Sequence, residues 1–240
     1  IMTAQKKWSI DWTYHGTMTL RNESKNVSFK LEATTWKITN VTLSWKTLTF
    51  DAVIWTWADQ VMFYVQWTNW WVSDFHLYRP GYWSWDIFTK EFLEHTKTLS
   101  AIRFMDAVKT NNSLQKKWSD RKLPNDPQQS YSWWIAREYV IELANQTKKD
   151  IWINIPHAAD DEYVTNLAKL IKDKLDPSLK VYVEYSNEVW NSMFQQYFYN
   201  QMQAKIDVEN WINLNYDNCN NSWYRARRRM WERIKQISDL

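Results

Sequence analysis

The segment Lys180-Val-Tyr-Val-Glu-Tyr-Ser-Asn-Glu-Val-Trp-Asn191 combines a strand pattern with an abrupt polar end. Apolar residues recur at every second position from Val181 to Tyr185, which is the period of a β-strand. Asn187 and Glu188 follow where a β-to-α loop is expected to begin. In parallel β/α barrels, polar residues at the carboxyl ends of strands usually form the reactive site. The segment therefore predicts a functional pair, although an Asx-turn at Asn187 and a helix cap at Glu188 would also explain it.

A second strand and a helix precede this segment. Asp150-Ile-Trp-Ile-Asn-Ile-Pro-His157 is typical of an apolar strand that ends in a polar side chain. Asp160 and Asp161 suit a helix start, where free N–H groups favour carboxylates. Apolar residues then recur at helical spacing until Pro177. Strand, helix and strand fit within about 35 residues, the length of a βαβ unit.

Two further β-α repeats are predicted upstream. The four predicted strands lie near residues 72–79, 101–106, 151–156 and 181–187, with helices between them. Alternating units of this kind favour a parallel sheet with helical crossovers. Each predicted strand ends in polar or charged side chains, which are Arg79, Arg103 and Asp106, His157, and Asn187 and Glu188. No Gly-rich phosphate loop follows the first strand, so we expect a (β/α)8 TIM barrel rather than a doubly wound sheet.

Residues 1–71 have a different pattern. Short runs rich in Thr, Val and aromatic residues recur at regular spacing, as expected for antiparallel strands, at Val27–Leu31, Val41–Trp45, Leu48–Val53 and Val61–Val65. We therefore predict an α/β chain in two parts. Residues 1–71 form a small antiparallel β-sandwich-like region. Residues 72–240 form the N-terminal half of the barrel, truncated after about four β/α units.

Several motifs resemble one family of enzymes. Ile155-Pro-His-Ala-Ala-Asp-Asp-Glu-Tyr-Val164, followed by the segment that contains Asn187-Glu188, resembles bacterial cellulase-related retaining glycoside hydrolases, whose (β/α)8 barrels carry two catalytic glutamates. Thr110-Asn-Asn-Ser113 and Trp118-Ser-Asp-Arg121 are similar to the same family. The resemblance covers residues 72–200, and the Asn-Glu pair is its most specific element.

The resemblance implies roles for four side chains. The family uses the Glu of its Asn-Glu pair as general acid/base and the Asn before it to hold the sugar 2-hydroxyl, which implies these roles for Glu188 and Asn187. Arg103 and His157 match an Arg and a His that end the family's second and third strands. The family's nucleophile is a second Glu at the end of strand seven. We expect it beyond residue 240, so the fragment itself is expected to be inactive.

The reaction explains why paired carboxyls are needed. Cleaving a glycosidic bond requires a proton for the leaving oxygen and a carboxylate that stabilises the oxocarbenium-like centre. In retaining enzymes the two carboxyls lie about 5–5.5 Å apart. Asp106 and Trp190 complete the predicted substrate site. Trp190, or the loop of Trp118, could offer an aromatic face to a sugar ring or pack at the rim. Glu184, four residues before Glu188, is expected to serve stability rather than chemistry.

Charge and cysteine content limit the classes of partner and site that the sequence predicts. The net charge is +3 over 240 residues, which indicates no polyanion partner, and the basic run Arg225–Arg229 is more typical of a solvated helix face than of nucleic-acid binding. The lone Cys219 excludes an intrachain disulfide and forms no metal motif. No membrane-spanning run and no signal peptide are present. We predict an oligo- or polysaccharide substrate, no nucleic acid, no membrane insertion, no cofactor and no metal.

Three functional interpretations remain open. The first is a hydrolase of a plant- or microbial-type β-glycan. The second is a non-catalytic carbohydrate-binding or surface protein on a degenerate glycosidase barrel, and the third is an unrelated β/α enzyme. Because polymeric glycans do not enter cells, the first interpretation predicts a secreted or cell-surface protein.

Glycine is scarce in this chain and tryptophan is abundant. Glycine averages about 7 % of residues, which predicts roughly 17 here, whereas the chain has 2 glycines and 19 tryptophans. Several tryptophans stand between regular elements, where turns normally favour glycine; they are Trp55, Trp57, Trp70, Trp71, Trp83, Trp85, Trp133 and Trp134. Two explanations are open: a source organism that reads UGA as glycine, or an aromatic-rich carbohydrate binder.

Overall fold

The computed structural model describes residues 12–20, 28–31, 36–54, 63–66, 72–126, 129, 134–214, 216–218 and 220–240. The chain divides into two compact units, Ile1–Thr89 and Lys90–Leu240. Cys219 lies outside the described residues, as do the tryptophans at positions 55, 57, 70, 71 and 133.

Antiparallel strands build the first unit. They are β1 (Trp12–Leu20), β2 (Ser28–Leu31), β3 (Trp36–Ser44), β4 (Thr47–Ile54), β5 (Phe63–Gln66) and β6 (Val72–Tyr78). One sheet has the order β3-β4-β1-β6, and β2 pairs with β5 in a separate sheet. A two-residue turn joins β3 to β4, whose register places Ser44 opposite Thr47.

Apolar side chains at alternate positions of β1 and β4 form the core of the first unit. Each is at most 2 % exposed, and they are Met18, Leu20, Leu48, Phe50 and Ala52. Burial of one large apolar side chain contributes about 1.5–3 kcal/mol relative to leaving it exposed. A slip of one residue would turn this whole set to the opposite face, so burial fixes the register of the two strands.

Gly16 lets β1 approach the ring of Phe50. The two residues are register partners on β1 and β4. A Cβ atom at position 16 would lie 2.1 Å from the nearest ring atom of Phe50, far inside van der Waals contact. The ring therefore covers the glycine, and any larger residue at this position must displace Phe50.

The second unit combines helices with a parallel sheet. Its elements are α1 (Lys90–Thr96), β7 (Ala101–Arg103), a 3₁₀ turn (Trp118–Asp120), α2 (Arg137–Thr147), β8 (Asp150–Ile155), α3 (Asp161–Lys174), β9 (Val181–Tyr185), α4 (Gln195–Glu209) and α5 (Ser222–Asp239). The sheet order is β7-β8-β9, and both pairs are parallel. The last two helices, α4 and α5, pack against each other, and α5 also contacts β9.

The two faces of the parallel sheet differ in chemistry. One face of β8 is apolar and at most 3 % exposed, and it consists of Ile151, Ile153 and Ile155. Trp152 and Asn154 alternate with them and therefore lie on the opposite face. The register places Arg103 of β7 beside Trp152 and Glu184 of β9 beside Asn154. This opposite face is therefore polar and aromatic.

The sequence correctly predicted the elements between residues 150 and 187. The side chain of Asp160 caps α3 by accepting a hydrogen bond from the Tyr163 N–H at 2.8 Å. Tyr163, Val164 and Leu167 recur at helical spacing and are buried, which anchors the helix. Strands β8 and β9 flank this helix as parallel neighbours, so the βαβ unit is confirmed.

The predicted truncated (β/α)8 TIM barrel is wrong. Within the described residues the parallel sheet has three strands. The segment 72–79, predicted as the first barrel strand, contains β6 instead, which runs antiparallel to β1. Strand periodicity indicates that a segment is extended but does not identify its neighbour. Here the neighbour is β1, where Gly16 lies opposite Leu77. Three strands are also too few to close a barrel.

The predicted sandwich-like region is also corrected. Residues 1–71 do contain antiparallel strands, as their spacing indicated. In the described part of this region, however, the strands form a four-stranded sheet that recruits β6 and a separate two-stranded sheet. Regular turn spacing predicts how many strands a segment holds, whereas their neighbours depend on contacts distant in sequence.

Gly16→Ala should destabilise the first unit, because the added Cβ must displace the ring of Phe50. Overpacking of this kind costs about 1–3 kcal/mol. Amide hydrogen exchange measures the effect locally, and we expect faster exchange in β1 and β4 with no change in β8. Thr17→Ala, on the opposite face of β1, is the matched control. Equal loss of protection in both variants would contradict the close-approach argument.

Candidate functional site

Arg103, the last residue of β7, connects the ends of the outer strands. Its Nη2 donates to Oε2 of Glu184 at 2.7 Å and to Oδ1 of Asn187 at 3.0 Å, and its Nε donates to the same Glu184 oxygen at 3.2 Å. Since β8 lies between β7 and β9, the guanidinium reaches across the middle strand. Two of the predicted site residues, Arg103 and Asn187, are therefore in direct contact.

Glu184 links all three strands of the parallel sheet. Besides Arg103, Nε1 of Trp152 donates to its Oε2 at 2.9 Å, and Nδ2 of Asn154 donates at 2.8 Å. Trp152 and Asn154 lie two residues apart on β8, and Asn154 is the register partner of Glu184. Hydrogen bonds to charged groups contribute about 1.5–3 kcal/mol each, more than neutral ones. The Glu184 carboxylate is thus the centre of the sheet's polar face.

Besides Arg103, two amide side chains bind Asn187. Its Nδ2 donates to Oδ1 of Asn111 at 3.1 Å, and its main-chain oxygen accepts from Nε2 of Gln196 at 2.8 Å. The same Gln196 nitrogen donates to Asn111 at 2.6 Å, and Gln196 Oε1 accepts from the Asn112 N–H at 3.1 Å. Asn187 is 6 % exposed and Gln196 is fully buried. Buried amides with satisfied partners have little freedom to rotate.

The backbone on both sides of Asn187 is in the left-handed region. Ser186 has a φ of 56° and Glu188 has a φ of 43°. Residues other than glycine rarely adopt this region, and each costs about 1–3 kcal/mol. Two contacts hold Ser186: its N–H donates to the Ile155 oxygen at 2.8 Å, and its own oxygen accepts from Nδ2 of Asn154 at 2.6 Å. Strain that surrounding contacts maintain clusters at functional sites.

The Glu188 side chain is partly buried and bound at one oxygen. Nδ2 of Asn191 donates to its Oε2 at 2.7 Å, and the Asn191 N–H donates to the Glu188 main-chain oxygen at 2.9 Å. In the part of the chain that the structure describes, no residue donates to Oε1. The carboxyl group can therefore present this oxygen to a ligand.

His157 belongs to a different cluster. Its ring is 6 % exposed and meets the ring of Tyr199 on α4 edge-on, with the centroids 4.9 Å apart. Its main-chain oxygen accepts from the Tyr185 hydroxyl at 2.9 Å. Burial lowers the pKa of His157, and the charge of Arg229 lowers it further. Among the described residues, it shares no hydrogen bond with the groups around Asn187.

Arg229 on α5 organises the cluster around His157. Its Nη1 donates to the Tyr185 hydroxyl at 3.2 Å and to Oδ1 of Asn200 at 3.0 Å, and its Nε lies 3.3 Å from Oδ2 of Asp207. Burial raises the pKa of Tyr185 and of Asp207, and Arg229 opposes both shifts. His157 therefore follows β8 as predicted, but its ring is part of the contact between β9 and the last two helices.

Asp106 and Trp190 are the two remaining predicted site residues. Asp106 is exposed in the turn after β7, where its main-chain oxygen accepts from the Lys109 N–H at 3.1 Å. Trp190 is 58 % exposed. Within the described ranges, neither side chain hydrogen-bonds to the groups around Asn187. Their predicted role in substrate binding stays a prediction.

Sequence reasoning gave no role to four residues of this network, which are Asn111, Trp152, Asn154 and Gln196. A signal existed for two of them, because Trp152 and Asn154 alternate with the apolar residues of β8 and so share a face with Glu184. Asn111 and Gln196 are 85 residues apart. No local pattern connects such a pair, so only the structure brings them together.

Comparison with known proteins does not assign the chain to a family. No family model, no curated protein and no solved structure matches the chain. The described ranges contain no group of three or more His, Cys, Asp or Glu side chains able to hold a metal ion. No helix among them is long and apolar enough to cross a membrane. The geometry around Asn187 is therefore the main guide to function.

Gln196→Leu should loosen the segment around Asn187. The change keeps the size of the side chain but removes the donor to the Asn187 oxygen, and an unpaired buried group costs about 1–3 kcal/mol. We expect faster amide exchange at residues 186–188 and at Asn112, whose N–H loses its acceptor. Gln195→Leu, on the exposed neighbouring position of α4, is the control. Unchanged exchange in Gln196→Leu would show that other contacts hold the segment.

Stability should fall as the pH drops below about 6.5, the ordinary pKa of histidine. The pKa of His157 is lowered in the folded protein, so the unfolded chain binds the proton first and acidification favours unfolding. His157→Gln should therefore flatten the dependence of the unfolding free energy on pH between about pH 7 and pH 5. His95→Gln changes an exposed histidine and serves as the control. If His157→Gln left the pH dependence of the unfolding free energy unchanged, His157 would not be the group responsible for it.

Proposed function

We propose that this protein is a retaining glycoside hydrolase that acts on a β-glycan of plant or microbial type, with Glu188 as the general acid/base. The supporting observation is the segment Ser186-Asn187-Glu188, which is left-handed on both sides of a buried asparagine fixed by Arg103 and Asn111. Maintained strain of this kind is typical of functional sites. The resemblance of the same Asn-Glu pair to cellulase-related hydrolases supports the same reaction.

Asn187 retains hydrogen-bonding capacity for a substrate. A side-chain amide has two N–H donors and an oxygen with two lone pairs. Asn111 takes one donor and Arg103 takes one lone pair, so one of each remains. Because these partners fix the plane of the amide, the remaining donor and acceptor have defined directions. In the proposed reaction they bind the sugar 2-hydroxyl, and this contact strengthens in the transition state.

Glu188 supplies and recovers the proton in this mechanism. Its protonated carboxyl gives a proton to the leaving oxygen while the glycosidic C–O bond breaks. The resulting carboxylate then takes a proton from the water that attacks the glycosyl-enzyme intermediate. Asn191 binds Oε2 and leaves Oε1 for both transfers.

A second carboxylate must act as nucleophile. In retaining enzymes it lies about 5–5.5 Å from the acid/base. Glu184 is the nearest carboxylate in sequence, but Arg103, Trp152 and Asn154 all bind its Oε2. We therefore propose that the nucleophile is a carboxylate outside this network.

A non-catalytic carbohydrate-binding protein is the second candidate function. The hydrogen bonds to Glu184 favour it, because they hold one oxygen of that carboxylate in the sheet, and the described network has no further carboxylate beside Glu184 and Glu188. Both candidates act on polymers that do not enter cells. We therefore propose a secreted or cell-surface location for either function.

Glu188→Gln in the full-length gene product tests the catalytic proposal. The amide keeps the shape of the side chain but has no acidic proton to transfer to the leaving oxygen, so turnover of a natural β-glycan should fall by about 10²–10⁴. An aryl glycoside with an activated leaving group needs little protonation. Its glycosylation step, measured by the burst of released aryl alcohol, should lose far less.

Glu184→Gln is the matched control for this experiment. It removes the charge that Arg103 binds, so we expect a lower melting temperature and equal effects on both substrates. Wild-type turnover of the natural glycan by Glu188→Gln would refute the acid/base assignment. A wild-type protein that binds glycan oligosaccharides without cleaving them would favour the second candidate.

A further inference from the structure

Three tryptophans have backbone conformations that normally require glycine. The φ angles are 54° at Trp45, 50° at Trp134 and 67° at Trp211. A positive φ is uncommon outside glycine, asparagine and aspartate, and a bulky side chain there is an outlier. We propose that the organism that makes this protein inserts glycine at these three positions, because UGA encodes them and is read as glycine.

Trp211 occupies the glycine position of a helix C-terminus. Asn210 is the C-cap of α4, so Trp211 is the residue after the cap. The Trp211 N–H donates to the Val208 oxygen at 3.1 Å, and the Ile212 N–H donates to the Asp207 oxygen at 2.8 Å. These two bonds define the Schellman motif, in which glycine most often takes the position held here by Trp211. The Trp211 side chain is 95 % exposed, so no packing explains an indole there.

Trp45 occupies the glycine position of a tight hairpin. Trp45 and Lys46 form the two-residue loop between β3 and β4. Trp45 has a positive φ, whereas Lys46 does not. In two-residue hairpins with this pattern, glycine takes the first loop position. The ring of Trp45 is 77 % exposed, and its described contact is the ammonium of Lys46, 5.3 Å from its centroid.

Trp134 is the third case. It lies two residues before Ala136, the N-cap of α2, and the next N–H, from Ile135, donates to the Ala107 oxygen at 2.9 Å. The ammonium of Lys109 is 3.9 Å from the centroid of its ring. This side chain therefore has a partner, and the left-handed backbone alone marks the position as one for glycine.

Other tryptophans have ordinary backbones and use their side chains. Trp152 donates its indole N–H to Glu184, and Trp118 packs edge-on against Tyr163 with the centroids 5.3 Å apart. Neither has a positive φ. Backbone conformation and side-chain contacts therefore separate two groups of tryptophans in one chain.

Positive φ by itself does not identify a misassigned residue. Lys148 has a φ of 55°, but its ammonium is held by Asp176 at 2.7 Å. The tryptophan cases differ because the chain has only 2 glycines and an excess of tryptophan. UGA is read as tryptophan in some genetic codes and as glycine in others. A single reassigned codon therefore accounts for the deficit, the excess and the three backbone conformations together.

The coding DNA and peptides of the protein from its own organism test the proposal. We expect UGA at codons 45, 134 and 211 with glycine in the corresponding peptides, and UGG with tryptophan at positions 118 and 152. UGG at codons 45 and 211 would overturn the proposal. Tryptophan in the native peptides that cover these positions would overturn it as well, whatever the codon.

A series at position 211 tests the backbone argument on recombinant protein. Trp211→Gly relieves the strained φ, whereas Trp211→Ala removes the indole but keeps a Cβ and the strain. We expect the melting temperature to rise in Trp211→Gly above both the alanine variant and the tryptophan chain. Equal melting temperatures for the glycine and alanine variants would overturn the argument. Trp152→Gly is the control and should lower the melting temperature, because Glu184 loses a donor.

Discussion

The ion pair between Arg103 and Glu184 is the contact on which the polar face of the parallel sheet depends. It joins β7 to β9 across β8, and Trp152 and Asn154 of β8 bind the same carboxylate oxygen. Breaking a buried pair costs about 3–5 kcal/mol, and exposed pairs contribute about 0–1. The two side chains here are 37 % and 30 % exposed, so the contribution of this pair to stability lies between these limits. Its larger effect is to fix where the Arg103 guanidinium points.

The position of the guanidinium determines how the strained segment is held. Arg103 also binds Asn187, which lies between two left-handed residues. Each such residue costs about 1–3 kcal/mol, whereas a neutral hydrogen bond contributes about 0.5–1.5 and one to a charged group about 1.5–3. The two residues together cost about 2–6 kcal/mol, so a single contact offsets the strain only at the low end of this range. The hydrogen bonds from Arg103, Asn111 and Gln196 together contribute about as much as the strain costs. This explains why three chain segments converge on one asparagine.

Local patterns predicted the elements of this fold but not all of their neighbours. The βαβ unit was predicted because buried isoleucines, the Asp160 cap and the helical spacing of α3 are all local in sequence. Strand β6 was placed in the wrong sheet because an extended pattern suits either sheet, and its partner β1 lies more than 50 residues away. The prediction of the residues around Asn187 was incomplete for the same reason. Asn111 and Gln196 carry no periodic signal, and their roles arise from packing alone.

The left-handed tryptophans also change which aromatic ring could bind a sugar. A ring that stacks on a pyranose must be both exposed and held in place, because ordering a free side chain offsets part of the gain. Trp211 is exposed, and no contact of its ring with another described residue is seen. Trp152 is 40 % exposed, its indole N–H is bound by Glu184, and the guanidinium carbon of Arg103 lies 5.3 Å from its ring centroid. If an aromatic side chain of this chain binds carbohydrate beside Asn187, the structure therefore favours Trp152 over the tryptophans of the turns.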